Sequence, residues 1–167
     1  MQTRDAVQQA RVHPLGEAYQ LGRPDLAGAY AGVKAYLDKD YTSAMKSFKR
    51  GARYGDKLSQ LSIGLMYLNG EGVAQNAATA WAWLDLAAGH DNPGYVATRD
   101  QVWSQLDASQ RQQAEAAREA LADTYADAVT GPRLRNAMGY VRISLSTNAP
   151  TQPDRVAAAT MTPVHAN

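Results

Sequence analysis

Apolar and polar residues recur along this chain with the spacing of amphipathic helices, from near the N-terminus to about Tyr125. Each apolar run ends at a helix stop signal, and a new start signal follows it. The stretch "YVRISLST" at 140–147 alternates with a period of two, which predicts a short terminal strand. The predicted fold class is all-α, with helices over residues 3–12, 24–37, 41–54, 57–69, 77–88, 93–106 and 108–125.

Residues with defined roles at helix ends mark these boundaries. Pro24 suits the first position of a helix, where its missing N–H is not needed. Asp107 and Gln110 have the spacing of a capping box. The other predicted caps and stops are Asp40, Gly55, Asn76, Gly89, Asn92 and Pro93.

The composition changes after Thr130. Four of the seven prolines lie in residues 132–167, and this segment offers little to bury, so an extended tail is predicted. We therefore divide the chain into an N-terminal helical segment (1–23), two repeat units (24–91), a capping helix pair (92–128) and a Pro-rich C-terminal tail (129–167).

A repeat is visible when the chain is compared with itself. Gly32 matches Gly64 at an offset of 32, while residues of the following helices match at an offset of 36. The second unit therefore has a loop that is four residues longer, and its glycines can adopt positive φ. Val73 is predicted to pack back onto the helix pair. The matches at an offset of 36 are Ala44 with Ala80, Phe48 with Leu84, Gly51 with Ala87 and Ala52 with Ala88.

The second unit carries a dense motif of small, aromatic and glycine positions. The motif residues are Ile63, Gly64, Tyr67, Gly70, Gly72, Val73, Asn76, Ala80, Trp83, Leu84, Ala87 and Ala88. This pattern resembles the Sel-one-like repeat family, a branch of the tetratricopeptide-repeat superfamily. The resemblance implies a short right-handed α-solenoid of antiparallel helix pairs with a C-terminal helical cap, and a scaffold that binds other proteins.

The resemblance also implies that the first helix of each pair lines a concave, partner-binding face. On these helices, apolar residues form a stripe that is either a partner groove or a surface covered by other residues. The possible covers are the helix at 3–12, the segment 133–145, which we favour, or a second copy of the chain. The stripe consists of Leu26, Ala29, Val33, Tyr36, Leu58, Leu61, Leu65 and Leu68.

One face of the second helix is basic. Lys46, Lys49, Arg50 and Arg53 lie on it with helical spacing. This face is either a solvated convex surface or a docking patch for an acidic partner, whose binding would weaken with salt.

The overall charge points to no polyanionic partner. Lys and Arg together number 17 and Asp and Glu number 16, so neither nucleic acid nor an acidic membrane is favoured as a partner. Cysteine is absent, and no apolar run approaches the roughly 20 residues that a membrane helix needs. No signal peptide is visible. The family resemblance favours a periplasmic or secreted location, with a cytoplasmic one left open.

The sequence offers no pattern typical of a catalytic or metal site. His13, His90 and His165 lack the spacing of metal ligands, and no cofactor motif occurs. Asp38 and Asp40 are better explained by helix capping than by acid–base chemistry. We therefore expect a non-enzymatic adaptor of bacterial type that binds a protein or peptide. The alternatives are an immunity-like or accessory protein that regulates a partner enzyme, and an enzyme with an unrecognised site.

Overall fold

The computed structural model describes residues 22–90 and 92–147, and side chains up to residue 139. All regular structure in these residues is helical, so the predicted all-α class is confirmed. The helix predicted at 3–12 lies outside the described residues. The helices are α1 (Pro24–Leu37), α2 (Tyr41–Ala52), α3 (Lys57–Asn69), α4 (Ala77–Ala88), α5 (Pro93–Gln105), α6 (Ala108–Tyr125) and α7 (Asp127–Thr147).

Side-chain caps fix the predicted helix starts. The Asp40 carboxylate accepts a hydrogen bond from the backbone N–H of Ser43 at 3.0 Å. The Asp107 carboxylate accepts from the N–H of Gln110 at 2.8 Å, and the Gln110 amide oxygen accepts from the N–H of Asp107 at 3.0 Å. These bonds satisfy backbone donors that a helix cannot satisfy internally. Asn76 and Asn92 cap α4 and α5 in the same way, as predicted.

Glycines allow α1 and α2 to approach closely. A Cβ atom on Gly28 would overlap the backbone of Gly51, and one on Gly51 would lie 3.1 Å from the backbone nitrogen of Ala29. Farther along, the Phe48 ring covers Gly32 so closely that a Cβ there would overlap it. Because Cβ atoms are missing at these points, the two helices form an antiparallel pair with Phe48 at its centre.

The second pair repeats this packing. A Cβ atom on Gly64 of α3 would lie 2.9 Å from Cγ of Leu84 on α4. Gly32 and Phe48 occupy the corresponding places in the first pair, so the residues matched in sequence also make matching contacts. The small residues Ala44, Ala52, Ala80, Ala87 and Ala88 are buried between the helices.

The main core lies between the two pairs. Phe48 from α2, Ile63 and Met66 from α3, and Trp83 from α4 belong to one buried cluster. The Trp83 ring packs against Tyr125 at the end of α6, with 4.6 Å between centroids. The core of the repeats therefore continues into the C-terminal helices.

Helix α6 runs alongside α4 in the same direction. Ala78, near the start of α4, clusters with Ala114 of α6, and Trp83 meets Tyr125 farther along both helices. Asp85 of α4 lies 2.7 Å from Arg118 of α6. Since α3 is antiparallel to both α2 and α4, the helices α2, α4 and α6 share one direction.

Lys57 joins the ends of three helices. Its Nζ donates to the backbone oxygen of Leu86 at 2.7 Å and to the Asp127 carboxylate at 2.6 Å. The ammonium group thus caps the C-terminus of α4 and pairs with the first residue of α7. Gln60 strengthens the junction, since its Nε2 donates to the backbone oxygen of Tyr125 at 3.0 Å.

The loop between α3 and α4 has the predicted turn chemistry. Gly70 and Gly72 adopt φ angles of 73° and 71°. The loop covers residues 70–76, whereas residues 38–40 connect α1 to α2, so it is four residues longer as predicted. Val73 packs against the main core, as expected.

The prediction for the C-terminal segment was wrong. Residues 129–147 form most of α7, neither an extended tail nor a strand. Pro132 lies near the start of the helix, where it removes a single backbone hydrogen bond. The alternation at 140–147 also fits a helical spacing that begins earlier, at Leu134 and Met138, and this longer pattern prevails. The remainder of the predicted tail lies outside the described residues.

Replacing Gly28 with Ala should destabilise the protein by roughly 1–3 kcal/mol, because the new methyl group would force α1 away from α2. Urea unfolding followed by circular dichroism measures this change. Gly139→Ala is the matched control. A Cβ there meets nothing within 4 Å, so the helix should gain up to about 1 kcal/mol. Equal stabilities of the two variants would contradict the close packing.

Replacing Gly72 with Val should also destabilise the fold, by roughly 1–3 kcal/mol, because a β-branched residue resists positive φ. A Cβ at this position would in addition lie 2.6 Å from Cβ of Tyr41. Ala74→Val, in an exposed part of the same loop, should change stability by less than about 0.5 kcal/mol. An unchanged melting temperature for the Gly72 variant would show that the turn does not need glycine.

Candidate functional site

Large apolar side chains are exposed on the first helices of the two pairs. Tyr30, Leu37 and Leu58 are exposed by 40%, 63% and 43%. Tyr30 and Leu37 belong to α1 and Leu58 to α3, and these two helices contact each other. We call the surface formed by Leu26, Tyr30, Val33, Leu37, Leu58, Leu61, Leu65 and Leu68 the apolar face.

On α3 the apolar face is opposite the core. Ile63, Gly64 and Met66 are buried toward α2 and α4. Leu61, Leu65 and Leu68 are half-buried, and Leu58 begins the row in an exposed position. The predicted spacing of this stripe is therefore consistent with the exposure of α3.

On α1 the predicted stripe had the wrong phase. Ala29 is buried against α2 rather than placed on an open surface. Tyr36 is half-buried and packs against the main core. Val33 also touches this core, but it lies on the same side of α1 as Tyr30 and Leu37 and belongs to both the predicted stripe and the apolar face. The sequence analysis did not identify Tyr30 and Leu37, although the positions of two glycines on α1 indicate them. Residues 28 and 32 mark the side that contacts α2, and residues 30 and 37 lie almost opposite them on a helix of 3.6 residues per turn.

Tyr36 connects the first unit to the long loop of the second. Its hydroxyl donates to the Glu71 carboxylate at 2.9 Å, and its ring meets that of Tyr41 edge-on at 5.4 Å. The hydrogen bond to Glu71, helped by burial, raises the pKa of Tyr36. These contacts join the end of α1 to the start of α2 and to the loop between α3 and α4.

The favoured cover of the apolar face is described only in part, and its helix contacts α1, one of the two helices that carry the face. Residues 133–145 belong to α7, which in the described part of the chain packs chiefly against α6 and α1. Its start is held at the turn between α2 and α3, where Thr130 is buried beside Gly55. The other internal cover, the helix at 3–12, lies outside the described residues.

The basic face of α2 is open to solvent. Lys46, Lys49, Arg50 and Arg53 are all exposed, as the helical spacing predicts. The Arg50 guanidinium reaches the backbone oxygen of Ala27 at 3.5 Å. The opposite side of the helix is buried, so the predicted phase of α2 is confirmed.

The groups considered for chemistry are engaged in structural contacts. Asp40 caps α2, and Asp38 pairs with Lys34 at 3.2 Å. His90 lies 3.3 Å from the Asp127 carboxylate, at the Lys57 junction. His13 and His165 lie outside the described residues. Within residues 22–90 and 92–147 no group of three metal-ligating side chains comes together.

Trp81 differs from Trp83 in its surroundings. It packs on Trp103 of α5 with 4.5 Å between ring centroids, and Arg111 of α6 lies over the Trp103 ring at 5.2 Å. The Trp81 Nε1 is buried without a hydrogen-bond partner among the described residues. These rings attach α5 and α6 to α4.

None of the described helices is long and apolar enough to cross a membrane. A scan of family models and searches of curated proteins and of solved structures found nothing that matches this chain.

Reversing two charges on the basic face should leave the fold intact. In high salt, Lys49→Glu with Arg50→Glu should keep the helical circular dichroism and change stability by less than about 1 kcal/mol, because exposed charges contribute little. Met45→Glu, on the buried side of the same helix, is the contrasting variant and should unfold the protein. Unfolding by the double reversal would mean that the basic face is covered.

Proposed function

We propose that this protein is a non-enzymatic protein–protein interaction module, which binds an apolar segment of a partner protein or peptide. In this proposal its two helix pairs form a short right-handed α-solenoid of the Sel-one-like and tetratricopeptide type, and α5 and α6 cap it. The module acts as an adaptor, so it needs a shaped surface rather than reactive groups.

The solenoid part of the proposal is supported by equivalent packing in the two pairs. Gly32 against Phe48 and Gly64 against Leu84 are the same contact made twice. The parallel course of α2, α4 and α6 is the arrangement expected when helix pairs stack in register.

The observation that carries the function is the open apolar face. Its most exposed members, Tyr30, Leu37 and Leu58, are large side chains that a partner could bury. Fully burying a leucine contributes roughly 1.5–3 kcal/mol, so covering this surface supplies a substantial driving force for binding.

The form of the face indicates the form of the ligand. Leu58, Leu61, Leu65 and Leu68 follow one side of α3, and α3 contacts α1, which carries the other row. Two adjacent helical ridges leave a shallow groove that fits an amphipathic segment with apolar residues at i, i+3 or i+4, and i+7. We therefore propose a helical segment of a partner protein as the ligand.

The test uses a library of amphipathic peptides, with binding measured by fluorescence anisotropy on the full chain. Leu58→Asp and Leu37→Asp should each weaken binding of a selected peptide by at least about tenfold, a loss of about 1.4 kcal/mol. Ala97→Asp, at an exposed position of α5 away from the face, is the control and should bind normally.

Two results would oppose the proposal. One is that the wild-type chain binds no peptide of the library. The other is that both face variants keep full affinity while remaining folded, because the apolar face would then not be the binding surface.

A further inference from the structure

Charges on the outer faces of α2 and α6 are separated by sign. Lys46, Lys49, Arg50 and Arg53 form what we call the basic strip, and the exposed positions of α2 carry no carboxylate. On α6, the charged residues at exposed positions are Glu115, Glu119 and Asp123, the acidic strip. The cations of α6, Arg111 and Arg118, are half-buried and contact α5 and α4 instead.

Neither strip is neutralised within the described part of the chain. None of the seven charged groups of the two strips forms an ion pair within the described part of the chain. By contrast, Lys34 and Asp38 on α1 pair at 3.2 Å across one helical turn. Like charges three or four residues apart weaken a helix. Both strips therefore carry a repulsion that an oppositely charged surface would relieve.

The two strips match in length and direction. The ends of the basic strip are seven positions apart and those of the acidic strip eight, which at 1.5 Å per residue is about 10 Å and about 12 Å. α2 and α6 run in the same direction, and their C-terminal ends are joined by Arg133. Its Nη1 donates to the backbone oxygens of Arg53 and Thr124, at 2.5 Å and 2.9 Å.

We propose that the basic strip of one molecule binds the acidic strip of a second copy of this chain. The acidic strip of α6 offers the opposite charge on a second copy of the chain, with a similar length and the same direction. A two-fold rotation about an axis parallel to these helices preserves their direction, so that each basic strip can meet the partner's acidic strip in parallel and the contact is made twice. The net charge of +1 opposes such pairing only weakly.

This association depends on salt. Exposed ion pairs are individually weak, so the dimer forms at high protein concentration and low ionic strength. The screening length falls from about 30 Å at 0.01 M salt to about 3 Å at 1 M, and the dimer dissociates over that range.

Sedimentation velocity of the full chain, over a series of concentrations and salt levels, tests the proposal. Wild type should associate at low salt and become monomeric at high salt. Lys49→Glu with Arg50→Glu should be monomeric at low salt, and so should Glu115→Lys with Glu119→Lys. Lys39→Glu, an exposed reversal outside the strips, should associate like wild type.

Recombining the reversed strips gives the decisive result. The chain with all four reversals should associate again, and an equimolar mixture of the two double variants should form mixed dimers, although each is monomeric alone. Restoration in the chain with all four reversals is the specific result, because its net charge equals that of wild type, whereas the two double variants carry opposite net charges and attract each other in any case.

Three outcomes would overturn the proposal. The wild-type chain could remain monomeric at low salt at every concentration. The recombined strips could fail to restore association. The basic-strip variant could lose association while the acidic-strip variant keeps it, which would assign the basic strip to an acidic surface other than α6. The apolar face takes no part in this contact, so Leu58→Asp should still associate.

Discussion

Gly28 and Gly51 bring the backbones of α1 and α2 to a distance that no other residue would permit. This close approach determines where the larger side chains can lie. Phe48 fills the space over Gly32, and Leu84 fills the corresponding space over Gly64. Once these pairs are fixed, the apolar residues on the other side of each helix, such as Tyr30, Leu37 and Leu58, remain exposed. The apolar face is thus a consequence of how the pairs are packed.

The same constraint explains how much of the fold the sequence predicts. Caps such as Asp40 and Asp107 act through hydrogen bonds to residues three positions away, so local reading identified the helix starts correctly. The course of α7 depends on distant contacts, including Arg133 with Arg53, eighty positions apart. Local alternation at 140–147 could not show these contacts, and it suggested a strand where a helix forms.

The site was predicted in part for a similar reason. The exposed side of α3 follows from the spacing of its leucines alone. The exposed side of α1 depends on which of its residues touch α2. Gly28 and Gly32 do so, but they have no side chain and therefore do not appear in a pattern of apolar residues. Tyr30 and Leu37 were therefore overlooked, although they are among the most exposed large apolar residues of the described chain. A glycine pair at i and i+4 is a better guide to the packed side of such a helix than its large residues.

The Lys57 junction has a consequence for synthesis of the chain. Its ion pair with Asp127 joins residues 70 positions apart. At about 5–20 residues per second, roughly 4–14 s separate the synthesis of these two residues. Within that interval, Trp83 is made 42 residues before Tyr125, the residue that covers it, which corresponds to roughly 2–8 s. The nascent repeats therefore pass through a stage of several seconds in which part of their core is open to chaperones, and the arrival of α6 ends it.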